Sequence, residues 1–150
     1  MGTLEASWSV EIGAPRQRCY DIAADIEGAP KWQGTLERVE VMKRDREGRP
    51  LVVDTISDAS IKKVKSRLRF SYDPPDGIAW EQEEGEVKLL TGSWEFQDAG
   101  DGRTRATYQL RSDPGRILSM LLRGPVEGKV KELLTKGAAE GLKRETEGRA

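Results

Sequence analysis

A strict alternation of apolar and polar residues opens the chain and predicts its first strand. Between residues 4 and 12 apolar side chains occupy every second position, and polar ones lie between them. This period of two is typical of a β-strand that buries one face and leaves the other in water. The apolar positions are Leu4, Ala6, Trp8, Val10 and Ile12.

Two short helical segments then interrupt the strand pattern. Pro15 suits a first helical position, and apolar residues recur at helical spacing from Cys19 to Ile26. We expect this helix to end near Gly28 and one further helical turn to cover residues 29–32. A second strand follows from Leu36, ahead of a turn that is rich in glycine and proline.

Residues 51–112 predict five more strands in an antiparallel meander, which makes seven strands in all. Turn-forming clusters of Gly, Pro and Asp recur here at the intervals of β-hairpins, and the segments between them alternate. In one such segment Leu68 and Phe70 share a face, while Arg67 and Arg69 share the other. The basic face is expected to lie in water and to pair with acidic residues of the next strand.

A long amphipathic helix closes the chain. Apolar residues recur at every fourth position from Leu118 to Leu142, and this stripe is expected to face the sheet. Because proline cannot donate a backbone hydrogen bond, Gly124-Pro125 is expected to break or kink the helix and leave residues 116–123 as a separate apolar segment. Three glycines inside the helix each cost about 1 kcal/mol relative to alanine, so we expect them to serve close approach or mobility.

Composition narrows the classes of function. The chain has 150 residues, 25 Lys and Arg against 26 Asp and Glu, a net charge of −1 and no histidine. This length fits a single domain over residues 1–150, and the balanced charge predicts no nucleic-acid partner. The absence of histidine excludes Ser-His and Cys-His nucleophiles and most zinc or haem-iron sites. We expect no cofactor and no metal. Asp54 and Asp58 could point to the same face of a strand, but they have no neighbouring His or Cys to complete a metal site.

Cysteine use and hydropathy point to the cytoplasm. Cys19 is the only cysteine, so no disulfide can form within the chain, and we expect a buried structural thiol. The first residues lack the basic segment and long apolar run of a signal peptide, and no apolar stretch approaches the ~18 residues that span a bilayer. We therefore expect a cytoplasmic protein, present as a monomer or weak dimer.

The order of elements, together with three segments, resembles a known family. The segments are WSVEIGAPRQRCYDIAADIEGAPKWQ at residues 8–33, VKSRLRFSYDPPDGIAWEQEEGEVKLLTGSWEFQD at 64–98 and GDGRTRATYQL at 100–110. They resemble the polyketide cyclase/dehydrase branch of the START-like (helix-grip, SRPBCC) superfamily, over nearly the whole chain. The resemblance implies an α+β helix-grip fold, in which a seven-stranded curved antiparallel sheet surrounds a long C-terminal helix. It also implies two short helices between strands 1 and 2, and an apolar chamber between sheet and helix.

A chamber of this kind would bind a small molecule, because concave apolar cavities are where such ligands usually lie. Strand parity and the helix stripe select the side chains that face it, although each could equally pack as ordinary core. The predicted ligand-binding residues are Trp32, Ser66, Leu68, Phe70, Trp80, Gln82, Trp94, Tyr108, Leu110, Leu118, Leu121, Leu122, Val126, Val130 and Leu134.

Two polar residues are candidates for proton transfer. Glu84 shares the parity of Trp80, and a carboxyl held in apolar surroundings has a raised pKa, but Gly85 beside it marks a turn where Glu84 could lie in water. Tyr108 is the better interior candidate. Its hydroxyl could donate to a ligand carbonyl or satisfy a backbone carbonyl.

These observations lead to three hypotheses of function. The first is binding or transport of a hydrophobic small molecule, such as a lipid, isoprenoid, quinone or polyketide, in the chamber. The second is a polyketide aromatase/cyclase-like or dehydratase-like enzyme, and the third is a protein-interaction module. Residues 116–123, an apolar run between arginines, would gate the chamber, make transient membrane contact or pack as core.

Overall fold

Seven antiparallel strands form one sheet in the computed structural model, which describes residues 3–148. The strands are β1 (Leu4–Ile12), β2 (Leu36–Arg44), β3 (Pro50–Asp58), β4 (Lys63–Asp73), β5 (Gly77–Gly85), β6 (Leu89–Gly100) and β7 (Arg103–Asp113). Their spatial order is β1-β7-β6-β5-β4-β3-β2, so each strand pairs with its neighbour in sequence except where β1 joins β7. The predicted meander is confirmed.

Irregularities in strand pairing curve this sheet. The register shifts within the β2–β3, β4–β5 and β6–β7 pairs, where one strand carries more residues than its partner. Each such bulge bends its strand and increases the local twist. The inward face of the sheet is therefore concave, and Ile12, Val53 and Ala106 are fully buried on it.

Helices cover the inward face of the sheet. They are α1 (Arg16–Ala24), a 3₁₀ helix (Ile26–Lys31), α2 (Gly115–Leu121) and α3 (Pro125–Gly148). The first helix ends at Ala24 rather than near Gly28, because Asp25 leaves the helical conformation and the 3₁₀ helix follows. The predicted break before the last helix is confirmed: Gly124 has a φ of 59°, a conformation that favours glycine, and α3 starts at Pro125.

The C-terminal half of α3 packs closely because its inward residues are small. Ala138 and Ala139 are fully buried there. A side chain at position 141 would overlap the backbone carbonyl of Trp32, so Gly141 sets how near α3 comes to the segment that follows the 3₁₀ helix. This close approach explains why a helix keeps a glycine that weakens it.

Hydrogen bonds also tie the end of α3 to the first strand. Lys143 Nζ donates to the carbonyl of Glu11 at 2.6 Å, and the Gly13 backbone N–H donates to Glu147 Oε2 at 2.9 Å. Lys143 and Glu147 pair with one another at 2.9 Å. The hydrogen bond from Gly13, followed by that from Lys143, lowers the pKa of Glu147, so its carboxylate stays charged and keeps both partners.

Ion pairs occupy the outer face of the sheet. Arg67 on β4 donates two hydrogen bonds to Asp54 on β3, at 2.7 and 3.0 Å, and Arg69 donates to Glu83 on β5 at 2.6 Å. Partly exposed pairs of this kind contribute about 0–1 kcal/mol each. They leave these two arginines of β4 paired within the sheet.

The contact at Gly141 predicts opposite effects for one substitution at two sites of α3. Gly141→Ala is expected to lower the free energy of unfolding by about 1–3 kcal/mol, because the added methyl group would force α3 away from Trp32. Gly137→Ala is the matched control: a Cβ there meets nothing within 4 Å, so helix propensity should raise stability by up to about 1 kcal/mol. Urea denaturation measures both changes. Equal stability of the two variants would contradict the close approach.

Candidate functional site

An apolar cavity of about 200 Å³ lies between the sheet and the first half of α3. Its helical wall comes from Val130, Leu134 and Thr135, with Leu118 and Leu122 beside them. None of the described residues of α3 beyond Thr135 lines it, because there the helix packs closely on the core. The cavity therefore begins where the small inward residues of α3 end.

Five aromatic rings form a continuous wall of this cavity. Trp94 lies at the centre of one group, with ring centroids 6.1 Å from Trp32 and 4.7 Å from Tyr108. The array continues from Tyr108 to Trp80 at 5.6 Å, and from Trp80 to Phe70 at 5.7 Å. Tilted pairs at these separations contribute about 0.5–1.5 kcal/mol each beyond their burial, so contacts between the rings stabilise this wall.

A glycine opposite Trp80 sets the depth of the aromatic wall. Trp80 on β5 pairs directly with Gly92 on β6, and the indole ring covers the space where a side chain of residue 92 would lie. A Cβ there would overlap the ring. Glycine thus lets Trp80 lie against the sheet instead of projecting into the cavity.

Tyr108 contributes the one phenol of the aromatic wall, and it is 5% exposed. Its hydroxyl accepts a hydrogen bond of 3.4 Å from Gln33 Nε2 rather than donating to a backbone carbonyl. Burial raises the pKa of Tyr108 to about 12. The phenol is therefore neutral at physiological pH and retains its proton for donation to a ligand.

The polar groups on the β4 side of the cavity are engaged with one another. The Ser66 hydroxyl donates to Gln82 Oε1 at 2.9 Å, and Gln82 Nε2 donates to the Val87 carbonyl at 2.9 Å. Thr55 Oγ1 donates to the Ser66 carbonyl at 3.3 Å. Gln82 itself does not line the cavity, contrary to expectation, and its amide is engaged by Ser66 and Val87.

A bulge on β5 turns Glu84 away from the interior. Arg67 pairs with Glu84 and the next residue, Leu68, pairs with Gln82, so Glu83 is an extra residue on β5. The extra residue reverses the alternation, and Glu84 lies exposed on the outer face with Arg67. The expectation that Glu84 shares the inward parity of Trp80 is therefore wrong.

The structure brings most of the predicted ligand-binding residues together, and their role in binding a ligand stays a prediction. The cavity is lined by Trp32, Ser66, Leu68, Phe70, Trp80, Trp94, Tyr108, Leu110, Leu118, Leu122, Val130 and Leu134. Leu121 and Val126 do not line it and are 51% and 37% exposed. Leu121 lies outside the i+4 series of Leu118 and Leu122, and Val126 lies in the first turn of α3, before the helix reaches the cavity at Val130.

Sequence analysis did not predict several of the residues that line the cavity. Gln33 follows Trp32 directly, but it lies in an irregular segment where no periodicity assigns a face. Thr55 lies on β3 opposite Ser66, so cross-strand pairing could have found it. Other lining residues not foreseen include Ala23, Ile26, Thr35, Leu36, Ser57, Ile61, Lys62, Val64, Val87, Leu90 and Lys131.

The Cys19 thiol is buried, and the Asp54 carboxylate is ion-paired. Cys19 is fully buried, and burial raises the pKa of its thiol, which disfavours the reactive thiolate. Asp54 is engaged by Arg67, whose hydrogen bond lowers the pKa of the carboxyl. Within residues 3–148 no group of three acidic or sulfur side chains is arranged to hold a metal ion. None of the helices there is long and apolar enough to cross a bilayer.

The sequence and the fold were compared with known families and solved structures, and both have matches. The model of the family described as "Polyketide cyclase / dehydrase and lipid transport" matches residues 12–137. No curated protein matches the sequence. A START superfamily protein from Mycobacterium smegmatis superposes with a TM-score of 0.85 at 17% identity, covering 99% of this chain and 100% of its own.

Two further structures share the fold. A protein from Thermus thermophilus has a TM-score of 0.85 at 23% identity, over 98% of this chain and 99% of its own. The Zhui aromatase/cyclase from a Streptomyces species has a TM-score of 0.83 at 19% identity, over 99% of this chain and 96% of its own. At these identities the likeness shows a common helix-grip architecture.

The buried phenol predicts a loss of stability at alkaline pH. The folded protein holds the Tyr108 proton with a pKa of about 12, against 10.0 ordinarily, so this contribution is complete below pH 10 and is lost as the pH rises toward 12. Between about pH 8 and about pH 11, the free energy of unfolding should fall by about 1 kcal/mol more in the wild type than in Tyr108→Phe. Urea titrations at both pH values test this, and equal losses would contradict the burial of the hydroxyl.

Proposed function

The chain belongs to the polyketide cyclase/dehydrase and lipid transport family, and on that basis we propose that it binds or carries a compact hydrophobic molecule in the cavity. The family and the fold support either hydrophobic ligand binding or aromatase/cyclase activity. The observation that carries our choice of ligand binding is the cavity itself. It is apolar, walled by aromatic rings, and about 200 Å³ in volume.

The size of the cavity limits the ligand. Sites for drug-sized molecules enclose about 300–1,000 Å³, and an apolar cavity of about 150 Å³ holds a molecule the size of benzene. A cavity of about 200 Å³ therefore suits one or two rings, or part of a longer chain. Together with the flat faces of Trp80 and Trp94, this favours a ring-containing molecule, such as a quinone or an aromatic polyketide, over a whole phospholipid.

The chemistry of the lining favours binding over catalysis. Within residues 3–148 no carboxylate lines the cavity, and Glu84 points to the outer face. Tyr108 would be the proton donor in an aromatase/cyclase-like reaction, but a phenol with a pKa of about 12 is a weak acid and transfers its proton poorly at neutral pH. The likeness in fold to the Zhui aromatase/cyclase keeps such an enzyme as the alternative.

Helix α2 could bring the cavity close to a membrane, because the helix has apolar side chains on two faces. Leu118 of α2 and Leu122, which follows the helix directly, line the cavity. Ile117, Met120 and Leu121 lie on the outside, where they are 78%, 59% and 51% exposed. A helix that lines the cavity on one face and exposes apolar side chains on the other is placed to pass a ligand between the cavity and an apolar phase.

The basic residues beside this outer stripe indicate which kind of membrane it would contact. Arg116 and Arg123 flank the exposed apolar residues, and basic residues near a membrane are attracted by anionic lipids at about 1 kcal/mol each. We propose that residues 116–123 make transient contact with an anionic membrane surface. The stripe is too short for stable anchoring, which suits a carrier that must leave again.

Filling the cavity should abolish binding without unfolding the protein. Leu134→Trp is expected to weaken binding of the neutral two-ring fluorescent probe naphthalene by at least about tenfold, because the indole would occupy the space the probe needs. Leu133→Trp is the matched control, since Leu133 is 39% exposed and does not line the cavity. Fluorescence titration measures affinity, and circular dichroism checks the fold. Unchanged binding in a folded Leu134→Trp variant would overturn the proposal.

Mass spectrometry of an organic extract of the natively purified protein would identify a bound molecule. We expect a ring-containing hydrophobic compound near one equivalent per chain in the wild type, and little in Leu134→Trp. Equal amounts in both would place the compound outside the cavity.

Vesicle binding tests the role of α2. The double variant Ile117→Ser, Met120→Ser should reduce sedimentation with phosphatidylglycerol vesicles by about tenfold, because two exposed apolar side chains lose their contact with lipid. Met42→Ser is the control, since Met42 is 49% exposed on β2. Equal sedimentation of wild type and both variants would exclude membrane contact through this segment.

A further inference from the structure

The charged residues of the cavity lining are of one sign. Among the described residues, only Lys62 and Lys131 bring a charge to the lining, and both are cations. Lys62 lies in the connection between β3 and β4, on the sheet side, whereas Lys131 lies on α3. A lining that is otherwise apolar or neutral thus carries two positive charges, one from the sheet side and one from the helix.

Neither lysine is committed to a strong partner. Lys62 Nζ lies 3.0 Å from Glu86, and Lys131 Nζ lies 3.5 Å from Glu127. All four side chains are about one-third or more exposed, and pairs of this kind contribute little to stability. Neither glutamate lines the cavity.

Glu86 does not depend on Lys62. The backbone N–H of Lys65 donates to Glu86 Oε1 at 2.7 Å, so this carboxylate keeps a hydrogen bond when Lys62 turns toward the cavity. Lys131 holds Glu127 through a long contact within one helical turn, which an incoming anion can replace. Both ammonium groups can therefore change partners without leaving a buried charge unpaired.

We infer that the ligand is an amphipathic organic anion, whose apolar body packs on the aromatic wall and whose acidic group is held by Lys62 and Lys131. This inference rests on the proposed binding function and adds the charge of the ligand. Because both lysines are partly exposed, the acidic group keeps part of its hydration, and only the apolar body needs to leave water. A carboxylate, sulfonate or phosphate would satisfy the same two cations.

Two probes with the same rings and different charge test the inference. Naphthalenesulfonate carries one negative charge, and naphthalene is its neutral counterpart. We expect Lys62→Gln and Lys131→Gln each to weaken binding of the sulfonate by about threefold to fivefold, and the double variant by about tenfold or more. Binding of the neutral probe should change less than about twofold. Added salt should weaken sulfonate binding in the wild type and have little effect in the double variant.

Lys129→Gln is the matched control, because it removes the same charge from an exposed position of α3 that does not line the cavity. It should leave both affinities unchanged. Equal affinity of wild type and double variant for the sulfonate would overturn the inference, as would a parallel loss of both probes, since the lysines would then act through the shape of the cavity. Failure of the neutral probe to bind the wild type would instead count against the proposed binding function.

Discussion

The close contact between Gly141 and the carbonyl of Trp32 is the constraint on which the site depends. It fixes the distance of α3 from the core at one end, and the fully buried Ala138 and Ala139 continue the tight packing. Toward its N-terminus the same helix presents Leu134 to a cavity. The cavity thus follows from the sizes of side chains along one helix, held at its far end by a well-packed core.

The cavity suits an apolar guest because two of its inward polar side chains already have partners. Ser66 is held by Gln82, and the Tyr108 hydroxyl by Gln33, so an apolar molecule can enter without depriving these groups of hydrogen bonds. The shape of the aromatic wall then determines which ligands fit, together with the contact between the ligand's acidic group and the two lysines of the lining. The outward stripe of α2, which includes Ile117, connects this interior to its surroundings.

Sequence periodicity predicted the inward faces wherever an element is uninterrupted. Alternation placed Leu68 and Phe70 inside because a period of two persists along the paired part of β4. It failed for Glu84 because a single extra residue on β5 reverses the side of everything beyond it. It also failed for Val126, because this residue lies in the first turn of α3, one turn before the helix reaches the cavity at Val130.

Local sequence pattern was sufficient to predict the order of elements, the meander and the break before α3. The packed fold was needed to establish where the cavity lies, which polar groups are engaged and which charges meet it. Gly137 and Gly141 look alike in sequence, yet only Gly141 faces a backbone carbonyl. Such differences arise from contacts between segments far apart in the chain, and short-range periodicity carries no information about them.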